Sequence, residues 1–159
     1  MRAPEASLRG PRADAGGSTG VAFLRRDGFA SMDAGPRRGA LRTRLVTFQG
    51  RHAFVNVDNP AGDLRVEVLD ERSRPIPGFE RDKCVPISID STLQPVRWRG
   101  AEDLSGLSGR PVRLWFHLEN GRLYAFWVTS DREGASHGYV AGGGPGFTSD
   151  RDTVGGHAL

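Results

Sequence analysis

The chain has 159 residues, a formal net charge of +3 at pH 7, and 37% apolar residues. That is one domain's worth of chain. Its single cysteine, Cys84, excludes an internal disulfide and a cysteine-based metal cluster, and no stretch approaches the ~20 apolar residues of a membrane helix. The pI of 9.7 draws attention to nucleic acid. Against that, Lys83 is the one lysine, the arginines are scattered among 19 acids, and no basic run exceeds a pair (Arg25-Arg26, Arg37-Arg38). Neither nucleic acid nor membrane is expected as a partner.

Residues 1–20 are Ala/Gly/Pro/Arg-rich and aperiodic, which predicts disorder or a linker remnant. Patterned hydrophobics run over 21–130. Val21 to Leu24 is a short apolar run, Arg25 to Gly28 a turn, Phe29 to Met32 a short strand, and Asp33 to Gly39 a loop. Ala40 to Phe48 reads as a strand with Leu41, Thr43, Leu45 and Thr47 on one side. Its expected partner is His52 to Val57, with Ala53, Val55 and Val57 inward.

Asp58 to Asp63 is dense in turn formers. Leu64 to Leu69 follows, with Leu64, Val66 and Val68 inward. The two prolines of Pro75-Ile76-Pro77 lack the ladder donor, so that segment is extended but not a central strand. Val85 to Ile89 is read as a short edge strand.

Gln94 to Val128 holds all three tryptophans. Val96 and Trp98 oppose Arg97 and Arg99. A turn of helix is expected at Glu102-Asp103-Leu104. Val112, Leu114, Phe116 and Leu118 then alternate with Arg113, Trp115 and His117, the period of a strand with one buried face. Asn120-Gly121 predicts a type I′ hairpin turn into Leu123 to Val128. Val96, Trp98, Leu114 and Phe116 are the expected core. After Ser130 the chain is Gly-rich, and 131–159 is read as a flexible tail. Eight or nine strands with frequent turn signals predict an all-β protein, an antiparallel, jelly-roll-like β-sandwich with disordered Gly-rich termini.

No catalytic signature emerges. HExxH, GxSxG and GK[ST] are absent, and no two of the four histidines are spaced as metal ligands. The carboxylates fall mostly in turns. Asp58 and Asp63 bracket a turn where calcium would find oxygen ligands, but without a multi-carboxylate loop the capping of that turn is the better account, so no metal or cofactor is assigned. One pattern points to binding: Trp115 shares a polar sheet face with Arg113 and His117. If the strands pair, Arg97 and Arg99 lie near it, and an indole would stack a sugar ring while the cations bond its hydroxyls. Burial of Trp115 under a second layer is the competing reading.

In order, RRDGF (Arg25 to Phe29), TFQG with FVNVD (Thr47 to Gly50, Phe54 to Asp58), LRVEVLDE with PIPGF (Leu64 to Glu71, Pro75 to Phe79) and the stretch Trp98 to Phe126 resemble the C-terminal β-sandwich module of bacterial glycoside-hydrolase-like proteins. In those proteins the module follows a β-propeller of the levanase or sialidase type. The resemblance covers about 20–128. It implies a non-catalytic accessory module, structural or carbohydrate-binding, of a longer exported protein whose catalytic carboxylates sit in the propeller. Carbohydrate and that propeller are the implied partners. The alternatives are a small glycosidase using carboxylates of the sandwich itself and an arginine-mediated nucleic-acid-binding domain. At Trp115 the family more often carries a basic residue.

Overall fold

A computed structural model describes residues 20, 22, 24–139 and 149–157. Among the described residues seven strands are formed: β1 (Met32–Ala34), β2 (Gly39–Arg42), β3 (His52–Asp58), β4 (Asp63–Leu69), β5 (Asp90–Val96), β6 (Arg113–Glu119) and β7 (Gly121–Thr129). They build two antiparallel sheets, one ordered β1-β7-β3-β5 and one ordered β2-β6-β4. Successive strands alternate between the sheets without exception, which is the path of a jelly roll. The chain is an all-β sandwich.

The inward sets follow the period-2 pattern. Val55, Val57, Leu64, Val66, Val68, Leu114 and Phe116 are all buried between the sheets, and Val96 and Trp98 join them. Each such side chain contributes ~1.5–3 kcal/mol by leaving water, so a one-residue slip of any central strand would forfeit a whole face.

The alternation overturns the expected hairpins. Asn120-Gly121 does not join paired neighbours, because β6 and β7 lie in different sheets. Asn120 has φ 48°, but Gly121 does not share a positive φ, so the turn is not type I′. Glycine is needed there for proximity instead: a Cβ on Gly121 would sit 2.4 Å from Asn59 Cβ, and one on Gly62 would sit 2.0 Å from the Glu119 carbonyl oxygen. The β3–β4 and β6–β7 crossings pack back to back, with no room for side chains between them.

Other boundaries shift for local reasons. Phe29 is an exposed bend and β1 begins at Met32. The long strand expected from Ala40 ends at Arg42. Arg42 aligns with Trp115 but Val46 with Val112, so one extra residue is inserted against β6. That irregularity reverses the facing of the side chains: Val46 and Phe48 pack on the core and Leu45 is exposed. Val85 to Ile89 forms no strand; β5 starts at Asp90, and Pro95 is tolerated because β5 is a sheet edge. The helical turn lies at Ser105–Leu107.

The free edge of β4 is closed by side chains and loop backbone. Val66 N–H donates to Cys84 Sγ at 3.2 Å, and its carbonyl accepts from Trp98 Nε1 at 2.8 Å. Val68 N–H donates to the Phe79 carbonyl and Val68 O accepts from Ile76 N–H. Phe79 meets Trp98 edge-on at 5.4 Å. Segment 75–87 thus stands where a regular eighth strand would run.

Candidate functional site

The two outer sheet faces differ sharply. On the four-stranded sheet, a bulge at Asn56/Val57 turns polar groups outward. Arg25 Nε donates to Asn56 Oδ1 at 2.6 Å and its terminal nitrogen to the Val57 carbonyl at 2.9 Å. The same guanidinium pairs with Asp90 and stacks over Tyr124. Asn56, fully buried, returns a bond to the Arg26 carbonyl. Arg26 in turn pairs with Asp152, which is 1% exposed and accepts the Ser136 and Gly155 N–H groups. Trp127 stacks on Phe54 at 5.6 Å and donates to the Gly134 carbonyl. Within the stretch read as a tail, Gly134 and Ala135 therefore bond to β7, and the RRDGF turn ties in Asp152 through Arg26.

Among the described residues, no such network lies on the outer face of the three-stranded sheet. Register sets Arg42, Trp115 and Glu67 in one row across β2, β6 and β4, with Ala40, His117 and Arg65 in the next. Trp115 is half-buried; its ring lies 4.7 Å from that of His117, and the Arg42 guanidinium lies 5.8 Å over it. Glu67 and His117 are each 8% exposed, with Nε2 3.4 Å from Oε2. Burial pushes the His117 imidazole below its ordinary pKa, opposed by the Glu67 carboxylate. Beside them rises the loop after β4. Pro75, Glu80, Arg81 and Asp82 complete a groove of about 360 Å³ with Glu67, Trp115 and His117. Glu80 is positioned there by the Gly78 N–H at 2.8 Å.

Trp115, His117 and Arg113 share this face. Arg113 lies at its far end, aligned with Leu69 and donating to the Thr43 carbonyl at 3.4 Å. Arg97 and Arg99 do not reach it, because β5 pairs with β3 rather than β6. They follow β5, with backbone bonded to Val85 and Lys83. Arg97 instead lines a separate cleft of about 540 Å³.

Asp58 and Asp63 bracket the β3–β4 crossing. The carboxylate of Asp63 accepts from Arg65 Nε at 3.0 Å. The crossing is held by buried Asn59, which donates to the Ile87 carbonyl and accepts from Ile89 N–H. No group of three or more potential metal ligands occurs among the described residues.

In the sequence Glu67 is one outward-facing carboxylate among many. It alternates outward on β4 like any solvated acid, and only the β4–β6 register shows that it faces Trp115. Searches against family models, curated proteins and solved structures return no match to this chain.

Proposed function

We propose that the chain is a non-catalytic accessory β-sandwich module of a glycoside-hydrolase-like protein, and that the bare face of its three-stranded sheet recognises carbohydrate. The observation that carries this reading is the half-buried Trp115 indole beside a groove floored by Glu67 and His117. An indole face matches the C–H face of a pyranose, while the groove's carboxylates accept hydroxyl bonds and Arg81 donates them.

A structural contribution has its own support in the apolar slot between the sheets at the β1–β2 edge. It is lined by Leu41, Phe116, Leu118 and Leu123, with Met32 56% exposed at its rim, a surface suited to packing against a neighbouring domain.

A glycan array probed with the purified chain tests the proposal. Binding of a neutral oligosaccharide is expected, together with no hydrolysis of aryl glycosides. No binding to any glycan would leave only the docking role. Hydrolysis abolished by Glu67→Gln would replace the reading with an enzymatic one.

A further inference from the structure

Three arginines from separate stretches of chain meet at one end of the four-stranded sheet. β3 begins at that end, and its two neighbours, β7 and β5, finish there. Arg132 follows β7, Arg51 precedes β3 and Arg97 follows β5. Neighbouring strands lie about 4.8 Å apart, so the three positions form a row spanning roughly 10 Å. With His52 they line the 540 Å³ cleft, whose apolar lining includes Phe54 and Trp98.

The backbone under each arginine is pinned. Arg51 N–H donates to the Thr129 carbonyl at 2.9 Å, and its own carbonyl accepts from Leu104 N–H at 2.8 Å. The Arg97 carbonyl accepts from Val85 N–H at 2.8 Å. The turn carrying Arg132 is held by the Asp131 carboxylate, which accepts Glu133 N–H at 2.6 Å and Gly134 N–H at 3.1 Å. Two carboxylates, Glu102 and Asp103, line the same cleft, yet none of the three guanidinium groups forms an ion pair or side-chain hydrogen bond among the described residues. Asp103 accepts Ser105 N–H at 2.8 Å and feels Arg51 and His52 electrostatically.

A guanidinium with no ion pair, rising from a held backbone, presents a donor fork shaped for an oxyanion. We propose that this cleft binds the carboxylate or sulfate groups of an acidic polysaccharide laid across the ends of β7, β3 and β5. Glu102 accepts saccharide hydroxyls between the charged groups. The two acids in the cleft disfavour nucleic acid, whose phosphates are continuous along the strand and offer no donors to pair with them.

The test is affinity electrophoresis of the full chain carrying Trp115→Ala, which removes the other groove, through gels containing polygalacturonate, dextran sulfate or neutral dextran. Retardation by polygalacturonate assigns carboxylate, by dextran sulfate assigns sulfate, and dextran has no effect. Arg97→Gln and Arg132→Gln each weaken binding about tenfold with an unchanged melting temperature. The control pair Arg72→Gln and Arg110→Gln removes equal charge elsewhere and leaves binding intact. The proposal is overturned if neither acidic gel retards the chain, if the control pair weakens binding equally, or if duplex DNA binds as tightly as either polysaccharide.

Discussion

Trp127 and Trp115 are the same residue on the outer faces of two sheets, both half-buried, but by different neighbours. Trp127 is stacked on Phe54 and hydrogen-bonded to a segment that folds over it. Trp115 faces a groove, with its ring against that of His117 and the Arg42 guanidinium more loosely over it. Where the chain covers its own sheet, polar groups are buried in satisfied networks such as Arg25–Asn56–Arg26–Asp152. On the other sheet, under the loop after β4, a buried carboxylate and imidazole share one long contact. The first arrangement stabilises; the second leaves bonding capacity for a ligand.

The sharpest break in this comparison is Asn56→Leu. It strands the Arg25 Nε–H and the Arg26 carbonyl, and chemical denaturation should show a loss of about 3 kcal/mol. Trp127→Ala removes stacking and a bond, for about 2–3 kcal/mol by the same measurement. Trp115→Ala should cost under ~1 kcal/mol, since its groove side has no packing to lose. A Trp115 cost equal to that of Trp127 would erase the distinction.

The faces also separate by pH. Burial raises the Asp152 carboxyl, but the Ser136 and Gly155 N–H groups and Arg26 outweigh it and hold it below its ordinary value. A depressed folded-state pKa contributes stability above the unfolded value near 3.8 and loses it as pH falls through the folded one. His117, depressed by burial, is neutral in the fold, so its penalty begins as pH falls below the unfolded value near 6.5. Stability measured from pH 7 to 5 should therefore fall through His117 and be flattened by His117→Asn. Asp152→Asn should lower stability by a constant amount above about pH 4 and flatten the limb below it, leaving the fall between pH 7 and 5 unchanged.

The smallest effect is chemical. Burial pushes the Cys84 thiol up to about 11, so a thiol reagent should modify it only as the chain unfolds. Rapid labelling of the native protein would show that the β4 edge opens.

The inward faces were legible in sequence because a strand with one dry side must alternate, as Leu64, Val66 and Val68 do. Pairing was not. The Asn-Gly dipeptide signals a turn, but local chemistry cannot say whether the next strand returns to the same sheet or crosses to the other. Arg97 was grouped with Trp115 on the premise that adjacent strands pair. The structure sends β5 to β3, and Arg97 joins Arg51 and Arg132 instead. Asn56 and Asp152 carried no periodic signal at all, since their roles rest on partners 30 and 126 residues away.

Affinity electrophoresis on neutral polysaccharides, comparing the wild-type chain with Trp115→Ala and Trp127→Phe, bears most directly on the bare face as a recognition surface. Retardation of the wild type and Trp127→Phe, abolished in Trp115→Ala, is the predicted result. Retardation that survives Trp115→Ala, or is absent from the wild type, would contradict it.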